Sequence, residues 1–328
     1  MEVPTDGASV RFEARAMGSQ LRLIFGGTAI RAAEADGLWR TVVDEFERAE
    51  AAMSRFRDTS ELTALNRAAG SATVEHPSSR LRRALVAADR AHRITGGRFD
   101  PRVLADLDRL GYRGAVLDRP AGAERQGDGR PLHRRSFGGR VVEGTGRGSL
   151  TIARPIDLGG IGKGLALRWA AAILGRNGAR DFLLEAGGDL VACGDDQDGV
   201  PWQLGIEDPA GGDDLAVIAI SDLAVATSSV RVHRWRVGDD ADGRVVHHLL
   251  DPRTGEPGGD GIVAVTVVGP DPAWAEVWSK VLFLAGRGAI ADEARSRGLA
   301  AWWVSDDGTL EMTAAARART IWVAAEAS

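Results

Sequence analysis

A Lys+Arg total of 41 in this chain includes only two lysines, Lys163 and Lys280. A compact, strongly hydrated ammonium does not substitute for a planar guanidinium fork. A lysine kept in so arginine-rich a sequence therefore marks a place the fork does not suit. Lys163 sits in Asp157-Leu-Gly-Gly-Ile-Gly-Lys-Gly164, directly ahead of a predicted helix. Glycines in that run let backbone approach a ligand closely and aim helix N-terminal N–H groups at an anion. The ammonium would add a point charge for phosphate. The spacing matches neither a P-loop nor Gly-x-Gly-x-x-Gly, and the same residues would also make a tight strand-to-helix turn.

The segment Val246-His247-His248-Leu249-Leu250-Asp251-Pro252-Arg253-Thr254-Gly255 ends a predicted strand in an Asp-Pro-x-x-Gly turn. Alternation sends His247 and His248 to opposite faces, so one can enter a cleft while the other meets solvent. An imidazole titrating near neutrality is a natural base for a hydroxyl nucleophile, although such a histidine can equally be a satisfied core residue. Glu276 and Lys280 stand four apart on a predicted helix. In isolation they read as an exposed ion pair worth about 0.2–0.5 kcal/mol. Ala186-Gly187-Gly188-Asp189 has hairpin-turn chemistry, and its Asp could also anchor a loop or face a ligand. Thr227-Ser228-Ser229 closes a strand, where hydroxyls can serve a phosphate or merely the local backbone.

These residues need elements to hold them. Val10–Ala16 and Gln20–Phe25 read as a strand pair around Met17-Gly18-Ser19. An amphipathic helix is predicted from about Ala32 to Phe56, with Trp39, Val42, Val43, Phe46, Ala49, Ala52 and Met53 on its apolar face. A short turn ends near Asn66, and a second helix runs from Leu81 to Thr95 before Gly96-Gly97. Residues 114–148 are Gly- and Arg-rich with weak periodicity, which predicts an exposed loop or insertion. Beyond them, strands are predicted at Leu150–Ala153, Phe182–Ala186, Leu190–Cys193, Trp202–Ile206, Leu215–Ile220, Leu223–Thr227, Val245–Leu250 and Val263–Val268. Helices follow Lys163 to about Asn177 and span Ala273–Ala285. Runs of strands with helices set among them predict an α+β fold with mostly antiparallel sheets. No repeat of fixed period is visible.

Composition removes several function classes. At 328 residues and 44% hydrophobic, the chain can bury a substantial core. A net charge of −5 lacks the basic footprint expected of a nucleic-acid binder. The single cysteine, Cys193, leaves no internal disulfide and no Cys-based zinc site. No signal-peptide pattern and no apolar run long enough for a membrane span are present, so the expected location is cytoplasmic.

In this order, the segments resemble the ApbE family of FAD:protein FMN transferases. The resemblance rests on Met17-Gly-Ser, Ser54-Arg-Phe, Ser60-Glu-Leu with Leu65-Asn66, and Thr95-Gly-Gly-Arg-Phe-Asp100-Pro. It continues through Asp157–Gly164, Gly187-Gly-Asp189, Gly205-Ile-Glu-Asp-Pro209, Ala226-Thr-Ser, His248-Leu-Leu-Asp-Pro and the Ala275–Phe283 helix. It covers most of the chain outside the termini and residues 114–148. It implies one flavin-transferase domain over residues 1–328, built of two intertwined modules with antiparallel sheets flanked by helices and FAD in the cleft between them. FMN would pass from FAD to a threonine hydroxyl of a flavin-accepting redox protein, with AMP released. A non-catalytic FAD-binding protein and an FAD pyrophosphatase are the alternatives.

By the same resemblance, Met17, Phe56, Arg98, Phe99, Asp100, Asp157, Lys163 and Leu249 contact FAD, and His248 is the base toward threonine. A Mg²⁺ site is implied at the Gly160 carbonyl and at two late-helix side chains, here Glu276 and Lys280. The family has Asp and Thr at those two positions. Glu can still ligate Mg²⁺, whereas a protonated lysine cannot. The Lys280 ammonium, paired with Glu276, would instead supply part of the ion's charge. Arg168 stands where relatives tend to carry Asp.

Overall fold

Leu183 and Leu184 are adjacent in one strand yet are buried in two different cores, one on each face of a single large sheet. Alternation of this kind is what a sheet covered on both sides requires. The structure is a computed structural model that describes residues 10–27, 32–112, 139–142, 148–231, 233–237 and 244–325. Its eight-stranded sheet runs Arg11–Ala16, Ser19–Phe25, Phe182–Ala186, Asp189–Cys193, Leu223–Ser229, Ile262–Gly269, Ala300–Ser305 and Leu310–Met312. Every neighbouring pair is antiparallel. This is the expected α+β architecture.

One face of the sheet carries helices. Ala32–Met53, Ser79–Ile94 and Gly162–Arg176 cover its first strands through Leu21, Leu23, Phe182 and Leu184. Pro272–Phe283 and Ile290–Ser296 cover Val265, Val267, Ala301 and Trp303. The opposite face packs on a three-stranded sheet, Thr320–Val323, Ala216–Ile220 and Trp202–Ile206, with Trp302 fully buried between. Among the described residues no helix is long and apolar enough to cross a membrane.

Several expectations change. The first helix stops at Met53, short of Phe56. The Ser54 carbonyl then accepts from the Ser60 hydroxyl, which also caps the Glu61–Ala68 helix through the Thr63 amide at 3.0 Å. Val245–Leu250 is not one strand. Arg244–His247 pairs with Arg234–Val237, and Leu250–Asp251 pairs with Glu256–Pro257, so His248 stands at the break. Of the stretch expected to be an exposed loop, residues 114–138 and 143–147 lie outside the described residues. Val141 and Val142 are buried, with the Val141 amide donating to Asp89 at 3.0 Å.

Two devices align the segments that carry chemistry. Asn66 exchanges two hydrogen bonds with Ile156, at 2.8 and 2.9 Å, and so fixes the approach to the glycine-rich loop. Gly164 touches the Pro272–Phe283 helix so closely that a Cβ there would lie 2.5 Å from the Ala273 Cα. Only glycine permits that helix contact. It brings the loop bearing Lys163 against the helix bearing Lys280.

Candidate functional site

A cavity of about 1130 Å³ opens where these segments converge. Met17, Phe56, Arg98, Phe99, Asp100, Asp157, Gly160, Lys163, His248, Leu249, Glu276 and Lys280 all line it. Asp189, His247 and Arg168, also named from the sequence, do not line it.

The glycine-rich wall is pinned from behind. Asp157 pairs with the Arg55 guanidinium, accepts from the Gly159 amide at 2.6 Å, and donates its own amide to Pro101. Asp100 is buried and grips Arg102 through two bonds of 2.7 and 2.8 Å. Arg102 also reaches His92 Nε2 at 3.0 Å. A guanidinium can only donate, so that nitrogen accepts and Nδ1 carries the hydrogen shared with the Phe99 carbonyl at 3.2 Å. The loop presenting Arg98 and Phe99 is therefore rigid.

The two ammoniums stand on carboxylates. Lys163 is hydrogen-bonded to buried Asp189, whose other oxygen accepts from the Thr227 amide at 3.1 Å. Asp189 thus makes its turn and also anchors Lys163. Burial pulls the Lys163 ammonium down, but Asp189 and Glu276 outweigh it and leave its pKa above the ordinary 10.5.

Glu276 and Lys280 are not a surface pair. Glu276 is 0% exposed and the Lys280 side chain 19%. Nζ lies 3.4 Å from Glu276 Oε1, while Oε2 accepts from the Gly164 amide at 2.8 Å. That amide belongs to the first turn of the Gly162–Arg176 helix, whose own N-cap, Ile161, offers no side-chain acceptor. A carboxylate from the neighbouring helix does the capping. Burial pushes the Glu276 carboxyl up, against the pull of Lys280 and Lys163.

These residues do not fit a divalent cation. One Glu276 oxygen faces an ammonium and the other a backbone N–H, and Lys280 has no lone pair to give while it holds its proton. Among the described residues no cluster of three or more His, Cys, Asp or Glu could hold a metal ion. Arg168 points elsewhere: it pairs with Asp271, the N-cap of the Pro272–Phe283 helix, and ties two helices together.

His248 enters an aromatic wall. Its ring lies 6.0 Å from Tyr112 at 25° and 4.8 Å from His233 at 72°. Tyr112 stacks on Trp235 at 5.3 Å and meets the edge of Phe56 at 6.2 Å. Phe56 is half exposed at the rim, with the Arg55 guanidinium 4.2 Å over its face. Burial, then the charges of His233 and Lys280, hold the His248 pKa well below the ordinary 6.5. Its Nδ1 is buried with no hydrogen-bond partner among the described residues. His247 does take the opposite face, where it meets Phe283, 5.8 Å away at 88°, and stays partly exposed. Burial lowers its pKa to about 4.

Tyr112 and His233 were not singled out from the sequence. Tyr112 is the only tyrosine, a rarity like that of the lysines. His233 opposes His248 one step beyond the Arg234–His247 rung, which becomes visible only once the hairpin is known.

The ApbE family model matches residues 17–303.

The chain belongs to the ApbE family.

Its fold is that of the ApbE protein of Thermotoga maritima, with a TM-score of 0.77 at 23% identity over 95% of this chain and 99% of that one. A Haemophilus influenzae protein named FAD:protein FMN transferase is 25% identical over 283 residues, 81% of this chain and 78% of its own length. One of the same name from Klebsiella pneumoniae is 29% identical over 174 residues, 52% of this chain and 49% of its own length. The chain thus spans about half of that ApbE relative.

Proposed function

We propose that this chain is an enzyme that transfers FMN from FAD to a threonine hydroxyl of a partner protein, releasing AMP. What supports the assignment is one juxtaposition: an imidazole held uncharged and both lysines of the chain border one cavity. The chemistry requires both. A threonine hydroxyl is a poor nucleophile until a base takes its proton. A splitting diphosphate needs positive charge fixed in advance.

The threonine oxygen bonds to the FMN-side phosphorus while its proton passes to an imidazole nitrogen of His248. The bond from that phosphorus to the bridging oxygen breaks, and AMP leaves with the electron pair. Lys163 and Lys280 hold the phosphoryl oxygens throughout. Met17, Phe56, Arg98, Phe99, Asp100, Asp157 and Leu249 contact the flavin dinucleotide, which lies between two modules of the fold. No step is routed through a divalent ion at Glu276. The acceptor is a redox protein that uses the attached flavin. A cytoplasmic setting belongs to the same proposal and is tested by cell fractionation.

Incubation with FAD and a threonine-containing acceptor peptide, read by mass spectrometry, tests the assignment. Peptide gaining one FMN with equimolar AMP is the expected result. Free FMN with AMP would make the chain a pyrophosphatase, and intact bound FAD a flavin-binding protein.

A further inference from the structure

Gly160, Glu276 and Lys280 form one fitted unit. A Cβ at position 160 would lie 3.3 Å from Lys280 Cδ and 3.0 Å from Phe99 Cε2. The lysine stem therefore runs along the bare backbone of the glycine-rich loop. Its ammonium is drawn back onto Glu276, by 3.4 Å contacts to both the carboxylate and the backbone carbonyl of that residue.

Glu276 is itself fixed by the Gly164 amide and lies within electrostatic reach of Lys163 and Asp189. Two ammoniums on the cavity wall thus stand on two buried acids in one cluster of paired charges. An ammonium carries three donors. Lys163 spends one on Asp189, and among the described residues Lys280 is turned toward Glu276 alone. Each keeps donors for a second acceptor.

We propose that this cluster is a built-in diphosphate clamp, in which Lys280 and Lys163 hold linked phosphoryl groups without a divalent ion at Glu276. The ligand class is a diphosphate, free or esterified. The clamp rests on the flavin-transfer assignment only in taking the FAD diphosphate as its natural occupant. Lys280 sets its ammonium against Glu276 and brings one positive charge, part of what a divalent ion would carry, on a covalent tether. Phosphate groups gain charge-assisted hydrogen bonds from it, and Glu276 keeps it from swinging to solvent.

The experiment is direct binding to the whole chain, with FAD followed by flavin fluorescence and inorganic pyrophosphate by calorimetry. Each titration is run in excess chelator and again with Mg²⁺. For the unaltered chain, both affinities should agree within about twofold between the two conditions. Lys280→Met should weaken both ligands about tenfold or more, the loss of a charge-assisted hydrogen bond, with no recovery on adding Mg²⁺.

Because Lys280→Met leaves Glu276 unpaired, Glu276→Gln/Lys280→Met serves as a charge-balanced second variant that still accepts from Gly164, with the same loss expected. A tenfold fall in affinity of the unaltered chain under chelation, restored by Mg²⁺, would overturn the clamp. So would unchanged pyrophosphate binding in the double variant. Transfer to peptide is scored separately: chelator-resistant binding without any covalent FMN would remove the transferase assignment and leave the clamp standing.

Discussion

His248 and His233 meet edge to face, ring centroids 4.8 Å apart at 72°, with the His248 amide donating to the His233 carbonyl at 3.3 Å. The second contact extends the hairpin ladder by one step past the Arg234–His247 rung. His248 is thus placed by backbone pairing as well as by its aromatic neighbours. Burial and the nearby charge of His233 then keep its lone pair available.

That arrangement predicts a pH profile. A free imidazole would titrate near 6.5, whereas the His248 value is held well below that. Transfer measured from about pH 8 downward should not halve at 6.5 but persist into more acidic buffer, until His248 itself takes a proton. Loss centred on 6.5 would contradict its burial.

Stability should follow the same sign. His247 and His248 have depressed folded pKa values, so the unfolded chain binds more protons as pH drops below 6.5. Their contribution is complete above 6.5. For His247 it is lost as the pH falls toward about 4. Between pH 7 and 5 His247 should cost on the order of 1–2 kcal/mol. His247→Leu, kept apolar against Phe283, should flatten the urea midpoint's dependence on pH.

His248→Ala should leave FAD affinity within a few-fold while transfer falls about 10²–10⁴-fold, the usual worth of a positioned base. Fluorescence binding and mass-spectrometric transfer on one preparation separate the two effects.

Asp189→Asn keeps an oxygen for the Thr227 amide but leaves the Lys163 ammonium without its anion. Breaking one side of this part-buried pair should cost about 1–3 kcal/mol, read as a shifted urea midpoint. FAD binding should weaken as Lys163 loses its fixed direction.

Gly164→Ala tests the helix contact. The added carbon would meet the Ala273 Cα at 2.5 Å and the Pro272 carbonyl oxygen at 2.6 Å. Backbone cannot step aside as a side chain does, so a loss of about 1–3 kcal/mol or more is expected.

Much of this site could be read from residue types. The scarcity of lysine selected Lys163 and Lys280, the glycines before the helix marked a close approach, and the Asp-Pro turn marked His248. Helical spacing correctly made neighbours of Glu276 and Lys280, but spacing carries no information about burial. Their surroundings come from Gly164, far away in sequence, so the pair looked like a surface one. Alternation puts His247 and His248 on opposite sides but does not say which enters the cleft or what covers the other. The strand Ala300–Ser305 places Trp302 and Trp303 in different cores. Its buried run does not alternate between apolar and polar, so periodicity passes over it.

The cavity draws its walls from Met17 through Val304, nearly the whole span of the chain. No fragment could assemble it piecemeal, and the unfolded chain has nothing comparable to offer a dinucleotide. A flavin lodged there, as proposed, would act as a tether across distant parts of the sequence. By mass action it would raise the melting temperature as ligand concentration climbs above Kd. Cellular flavin supply would then set how long the protein survives as well as how fast it works.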